Sequence, residues 1–302
     1  CIIANEGSGV SQAIGTGGRD VKDAVGGITF LDAMQALADD RETKVILLVA
    51  KPPQPGVLKK VKALLRKIKK PVVALFLGQG GTPATLEEAA LLAVARANGQ
   101  TPEQALAHLK RRDAILADEA RALVAKRKRP KGRYLRGLFS GGTFCAEAQV
   151  VLDGVVRHLH SNAPLGDAVK LKNAWKPERN SVVDLGEDEF TVGRAHPMID
   201  FTLRNKMILE QAADPDVAVI LLDVVLGYGA NLDPAAELVP AIKQAAKKVF
   251  VVAGVNGTIG DPQNRAKTVE ALREAGAHVQ LTNAAACKLA GFIAAEVARQ
   301  NR

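Results

Sequence analysis

The chain contains itself twice, and that repetition constrains its fold more than any other feature. The run Asp40-Arg41-Glu42-Thr43-Lys44-Val45-Ile46-Leu47-Leu48 is echoed by Asp214-Pro215-Asp216-Val217-Ala218-Val219-Ile220-Leu221-Leu222, an offset of 214 − 40 = 174 residues. Upstream, Gly18-Arg19 matches Gly193-Arg194 at 194 − 19 = 175; downstream, residues 71–78 match 247–254 at 254 − 78 = 176. Three landmarks in one order at nearly one spacing mark a duplicated supersecondary unit. Each copy reads as an amphipathic helix (30–38; 205–213), a short acidic turn and a buried apolar strand (45–50; 217–222). A loop, a helix and a second apolar strand ending in glycine follow. Short apolar strands alternating with helices imply an α/β architecture with parallel sheets covered on both faces. Ligands of such doubly wound sheets gather at the carboxyl ends of the strands.

Between the copies, residues 83–97 and 102–126 read as helices, the first capped by Thr82 with Pro83 at its first position. The second copy opens with a strand over 134–139 that runs into Ser140-Gly141-Gly142-Thr143 and a helix. Stepping back about 175 residues from Ser140, the repeat spacing, leaves the numbered chain. The first copy is therefore expected to lack its opening strand and Gly-rich turn, with residues 1–4 the tail of the missing helix. The expected division is a first, incomplete domain over 1–82, a helical linker over 83–130 and a second domain over 131–302.

Composition removes several function classes. At 47% hydrophobic and 24% charged residues, the chain is ordinary for a globular protein, and it has no run of the roughly 18 apolar residues that a membrane span needs. Cys1, Cys145 and Cys287 are too few, and odd in number, for a disulfide framework; they fit a reducing compartment, so a cytoplasmic location is expected. The net charge of +9 raises the possibility of nucleic acid. In the basic run 59–70, however, Val61, Leu64, Leu65 and Ile68 form one helix face, which makes the lysines a solvated surface. A second basic run, 126–131, reads as a linker, and aromatics at 4% leave few stacking platforms. Neither a nucleic-acid nor a membrane partner is expected, and no residue pattern calls for a metal.

At this point a family resemblance enters. The run from Ser140 to Ala148, Ser-Gly-Gly-Thr-Phe-Cys-Ala-Glu-Ala, resembles the Ser-Gly-Thr-Leu-Thr-Tyr-Glu-Ala turn of the succinyl-CoA synthetase α subunit. Gly17-Gly18, Phe30-Leu31-Asp32 and the strand that follows resemble that family's next strand–helix–strand. A closer resemblance is to the FdrA family of acyl-CoA-synthetase-like proteins. It is carried by residues 9–20, by 137–143, by Thr191-Val192-Gly193-Arg194-Ala195-His196-Pro197-Met198-Ile199-Asp200 and by Leu222-Asp223-Val224-Val225-Leu226-Gly227-Tyr228-Gly229. The resemblance implies two tandem flavodoxin-like domains of the succinyl-CoA synthetase type, the first truncated at its amino end. It further implies a subunit of oxamate carbamoyltransferase in purine (allantoin) catabolism, acting with companion subunits in a homo- or hetero-oligomer. Its small anionic substrates would be phosphate, carbamoyl phosphate or oxamate. An NDP-forming acyl-CoA (succinate–CoA) ligase is the alternative, with CoA or nucleotide supplied through a partner subunit; a non-catalytic assembly or regulatory subunit is a third. Synthetases carry a phosphorylated histidine in a Gly-His-Ala-Gly loop after the last strand of this domain. Here the loops read Gly78-Gln79-Gly80-Gly81-Thr82-Pro83 and Gly254-Val255-Asn256-Gly257-Thr258-Ile259-Gly260-Asp261-Pro262. Neither holds an imidazole, which tells against a phosphohistidine relay.

Ser140, Gly141, Gly142 and Thr143 enter a helix straight after a strand, where free backbone N–H groups and the helix dipole favour an anion; an ordinary turn capped by Ser140 is the bland alternative. Arg194 and His196 share a loop in which the imidazole could donate to phosphate or act as general acid, or serve only the backbone. Asp223 is expected at the end of its strand, orienting His196 or accepting from a substrate amide, and its counterpart in the first copy is Val49. Asn256, Gly257 and Thr258 offer donors suited to a planar amide, or form a plain turn. Cys145 could be a helix-terminal thiolate, but is more simply read as packing.

Overall fold

An apolar strand must find backbone partners before it can be buried, and both copies of the repeat meet that need in the same way. The computed structural model describes residues 1–127 and 132–301, so most of the second basic run lies outside the described residues. It forms two compact units, Cys1–Leu109 and Lys110–Arg302. The first contains α1 (Ile2–Asn5), α2 (Ile28–Asp39), β1 (Ile46–Ala50), α3 (Pro55–Leu65), β2 (Val72–Phe76), α4 (Leu86–Ala97) and the start of α5 (Pro102–Lys126). Strands β1 and β2 pair in parallel, Ile46 opposite Val72. The buried Asp20 carboxylate accepts from the N–H groups of Thr29 (3.1 Å) and Phe30 (2.8 Å) and so satisfies the first turn of α2. Phe30, Met34, Ile46, Leu48, Val57 and Val61 form the core, while Lys59, Lys60 and Lys62 point to solvent, as their spacing predicts.

Two expectations about the region between the copies change. Helix α4 starts at Leu86 rather than at Pro83, because Thr85 Oγ1 accepts from Glu88 N (3.1 Å) while the Glu88 carboxylate accepts from Ala84 N (2.7 Å). These two bonds, a relative of the capping box in which Glu88 reaches Ala84 N–H instead of that of the N-cap Thr85, fix the start three residues later. Nor do residues 83–130 stand apart as a linker: α4 belongs to the first unit, and the division falls inside α5.

The second unit continues with β3 (Tyr134–Phe139), α6 (Gly142–Leu152), β4 (His160–Ser161), β5 (Val169–Lys170), β6 (Ser181–Asp184), α7 (Asp188–Thr191), α8 (Thr202–Ala213), β7 (Val217–Val225), α9 (Pro234–Ala245), β8 (Phe250–Asn256), α10 (Arg265–Glu274), β9 (Ala277–Gln280) and α11 (Asn283–Gln300). Its strands form one sheet in the order β5-β4-β6-β3-β7-β8-β9, parallel throughout. The α/β class with parallel sheets is thus as expected. Alternate residues of β7 feed two cores: Ile220 and Leu222 pack toward α8 and α9, Val219 and Leu221 toward α6 and α11. Among the described residues no helix is long and apolar enough to cross a membrane.

The copies correspond as α2-β1-α3-β2 and α8-β7-α9-β8, in the same order and with the same parallel pairing. The pairing also corrects the spacing downstream. Ile46 faces Val72 and Ile220 faces Val251, offsets of 220 − 46 = 174 and 251 − 72 = 179. The three-residue difference from the expected 176 arises because the connection between the strands is longer in the second copy. At 179, Gly78, Gly81 and Pro83 fall on Gly257, Gly260 and Pro262. Helix α4 packs on β1, β2 and α1 as α11 packs on β7, β8 and α6. The α10–β9 pair is therefore an addition of the second unit. Finally, β7 runs three residues beyond the expected Leu222 and β8 two beyond the expected Gly254, through the pairs Asp223 with Gly254 and Val225 with Asn256. Asp223 and Asn256 lie inside strands, not beyond them.

Candidate functional site

The parallel order β6-β3-β7 brings the carboxyl ends of three strands side by side, with Phe139 opposite Asp184 and Leu138 opposite Leu222. Ser140 follows β3 and is buried. Its N–H donates to Asp223 Oδ1 (2.9 Å) and its hydroxyl to Asp223 Oδ2 (2.5 Å). The serine therefore does not cap α6. The N-cap is Gly141, in extended backbone, and no side chain caps the helix. A Cβ on Gly141 would meet nothing within 4 Å. Gly142 is half-buried and Thr143 exposed, so the helix start presents backbone donors and the positive end of its dipole on an open side.

Asp223 is fully buried and carries a further partner, Arg204 of α8, whose Nη2 donates to Oδ1 at 2.7 Å and to the Asp223 carbonyl. Burial pulls the guanidinium below its ordinary range and Asp223 opposes that pull. The ion pair is thus the buried floor under the Ser140 turn.

His196 stands on the β6 side. Its Nδ1 accepts from Met198 N–H (3.2 Å), which leaves the proton of the neutral ring on Nε2 as a donor. A Cβ built on Gly186 would lie 3.2 Å from that Nε2, 3.1 Å from Asp184 Oδ1 and 3.3 Å from the Ser140 carbonyl. The missing side chain of Gly186 is what lets imidazole, carboxylate and turn gather there. Asp184 is buried and well anchored: its N–H donates to Asn162 Oδ1 (2.8 Å), Asn162 Nδ2 returns a bond to its carbonyl (2.9 Å), and Oδ1 accepts from Gly186 N–H (2.9 Å).

Ser140 and Asp223 bond directly, and His196 Nε2 and the Ser140 carbonyl flank Gly186, with Gly141, Gly142 and Thr143 at the opening; Asp223 turns to Ser140 and Arg204, so the expected orientation of His196 by Asp223 is not what the fold provides. Arg194 lays its guanidinium over the Trp175 ring, 5.0 Å from the centroid, and Trp175 in turn meets Phe190. The loop of Asn256, Gly257 and Thr258 engages its own donors: Asn256 Nδ2 bonds the Gly254 carbonyl (3.0 Å) and Thr258 N–H bonds Asp261 Oδ2 (2.5 Å). Cys145 is buried, and burial pushes the Cys287 thiol upward, with Glu147, Cys145 and Asp223 adding to the effect; Cys287 is packing, not a nucleophile.

Sequence reasoning missed Arg204, Asp184 and Gly186. Arg204 had a signal: it sits on the stripe with Met207, Ile208, Gln211 and Ala212 that α8 buries, and a cation on an apolar stripe demands a buried partner. Asp184 and Gly186 end the short run Ser181-Val182-Val183-Asp184-Leu185-Gly186, whose four-residue strand is too brief to stand out by periodicity.

Residues 138–293 match the CoA-ligase family. The chain is 37% identical over 286 residues to the uncharacterized protein YahF of Escherichia coli (strain K12), a match covering 89% of this chain and 54% of that protein. The chain thus spans about half the length of this curated relative. Among solved structures it is similar to PH0766 from Pyrococcus horikoshii OT3, with TM-score 0.41 and 17% identity over 91% of this chain and 57% of that one. It is also similar to the dinucleotide-forming acetyl-coenzyme A synthetase 1 of Ca. Korarchaeum cryptofilum in complex with phosphate and ADP, with TM-score 0.42 and 16% identity over 91% and 58%.

Proposed function

The chain belongs to the CoA-ligase family, and from that premise we propose that it is an FdrA-type subunit of a carbamoyl-transfer complex. Its second unit would hold phosphate, or the phosphoryl end of carbamoyl phosphate, at the start of α6. The observation that carries this reading is that Ser140 is turned away to Asp223, while the glycine N-cap leaves the first turn of α6 open. An anion there gains backbone hydrogen bonds and the helix dipole.

In the direction from oxalurate, a phosphate oxygen attacks the terminal ureido carbonyl. The bond from that carbon to the oxamate nitrogen breaks, and the nitrogen leaves with a proton. The proton that this nitrogen takes up comes from the attacking hydrogen phosphate, while neutral His196 would donate a hydrogen bond from Nε2–H to the departing nitrogen, and no covalent enzyme intermediate is needed. The backbone donors at Gly142 and Thr143 would neutralise the phosphate throughout.

The family itself favours a second reading, NDP-forming acyl-CoA ligation with CoA and nucleotide as substrates brought by a partner. Against it stand the corresponding loops 78–83 and 257–262, neither of which holds a histidine.

The test is to purify the full chain with its companion subunits from the native host and assay carbamoyl phosphate with oxamate. Turnover that falls about tenfold or more in His196→Asn, the loss expected for one hydrogen bond to developing charge, supports carbamoyl transfer. Acid-labile phosphate on the chain after ATP, with CoA thioester formed, would replace it by the ligase. A complex that assembles but binds neither carbamoyl phosphate nor CoA would leave only an assembly role.

A further inference from the structure

Serine beside a helix start ordinarily turns its hydroxyl onto the first free N–H groups. Ser140 in that orientation would occupy donors that a bound anion needs. It is prevented because both of its donors are taken by one carboxylate, N–H by Asp223 Oδ1 and hydroxyl by Oδ2. Both oxygens of the Asp223 carboxylate accept in that grip, and a carboxylate this deeply buried is costly without a cation beside it.

Arg204 is that cation. It is 1% exposed, and its hydrogen bonds among the described residues go to the Asp223 carboxylate and carbonyl, while Nε and Nη1 make none. A buried ion pair with unmet donors is a poor device for stability, because well-packed apolar residues commonly do as well. The neighbours of Arg204 on the buried stripe of α8, Met207, Ile208 and Ala212, show that apolar packing is available at that face.

We propose that Arg204 is a positioning residue for the anion site. By pairing with Asp223 it fixes the carboxylate that restrains Ser140, and thereby keeps the first turn of α6 open. This rests on the reading of that turn as the anion site.

The test uses the full chain as wild type, Arg204→Met, Arg204→Lys, Asp223→Asn and the Arg204→Met/Asp223→Asn double variant. Two quantities are read on folded protein: the Ser140 amide resonance in ¹⁵N-labelled samples, and the Kd for inorganic phosphate by calorimetry. The Ser140 resonance is expected downfield in the wild type, as for an N–H bonded to a carboxylate, and shifted in every variant. Phosphate affinity is expected to fall about tenfold in Arg204→Met, the size of one lost hydrogen bond to a charged group. The double variant is expected to bind no more weakly than the weaker single variant, because the two side chains act as one unit. If Arg204→Met does not fold, Arg204→Lys carries the test, since it keeps the charge and loses the fork. A wild-type Ser140 resonance and Kd in Arg204→Met or Arg204→Lys would overturn the proposal, as would losses that multiply in the double variant. Absence of phosphate binding by the wild type would sink the anion reading, and with it the purpose given to Arg204. An unmoved resonance beside intact wild-type binding would sink the Arg204 link alone.

Discussion

The first unit carries β1 and β2, and the second carries their counterparts β7 and β8, between the same helices and with the same parallel pairing. At the position where β7 holds the fully buried Asp223, β1 holds Val49, 39% exposed. Among the described residues the sheet of the first unit has two strands and that of the second has seven, with β3 and β6 delivering Ser140 and Asp184 to the same edge as Asp223. Duplication thus preserved the apolar frame, and the polar constellation depends on strands flanking that frame. A repeat predicts the scaffold from one copy to the other; it does not predict a site, whose polar residues the frame leaves open, as Val49 standing where β7 has Asp223 shows.

The largest expected difference between the units follows from that pair of positions. Asp223→Ala leaves Arg204 buried without its counter-charge and should cost about 3–5 kcal/mol in urea unfolding. Val49→Ala, at a partly exposed position of the same frame, should cost about 1 kcal/mol or less. Equal costs would break the comparison. Within the second unit, frame and site separate at two glycines. A Cβ at Gly137 would lie 2.7 Å from the Phe139 ring and 2.8 Å from Val182 Cγ1, so Gly137→Ala should lose about 1–3 kcal/mol through overpacking. Gly141→Ala, with nothing within 4 Å, should stay within about 0.5 kcal/mol of wild type. If both destabilise alike, Gly141 belongs to the frame.

Smaller effects test whether the two frames are stabilised alike. Asp20 caps α2 in the first unit, and Thr282 Oγ1 accepts from Ala285 N at the start of α11 in the second. Replacing either by Ala should cost about 1 kcal/mol, and a loss confined to one unit would show unequal dependence on caps. The smallest expected effect is one of pH. Burial, and then Arg127, lower the pKa of His278 from its ordinary 6.5. A His whose folded pKa is depressed binds fewer protons folded than unfolded. Its contribution is therefore present above pH 6.5 and is lost as pH falls through that value toward the lower folded pKa. His278→Gln should flatten that part of the stability profile, measured by thermal unfolding at stepped pH; an unchanged slope would remove His278 as its cause.

Much of the frame was legible because buried strands and amphipathic helices leave periodic apolar signals: β3 and α5 have the bounds their patterns predict, and α2, α8 and β1 differ by one to three residues. The strands β4, β5, β6 and β9 were not legible, since two to four residues carry no period. Within the site, Ser140, His196 and Asp223 could be found from their places after strands or in a Gly-bounded loop. Their connection could not: Arg204 reaches Asp223 from a helix that the sequence marks only as amphipathic. Asn256 showed the reverse case, a donor visible in sequence that the fold engages on the Gly254 carbonyl of its own strand.

Calorimetric titration of inorganic phosphate into wild type and Gly141→Leu decides whether the second unit binds an anion at the start of α6. Gly141 has extended backbone and open space at its Cβ, so a leucine there should leave the unfolding midpoint within experimental spread while its side chain obstructs the opening. One phosphate should bind per wild-type chain and none to the folded variant. Equal phosphate affinity in the two proteins would contradict an anion site there.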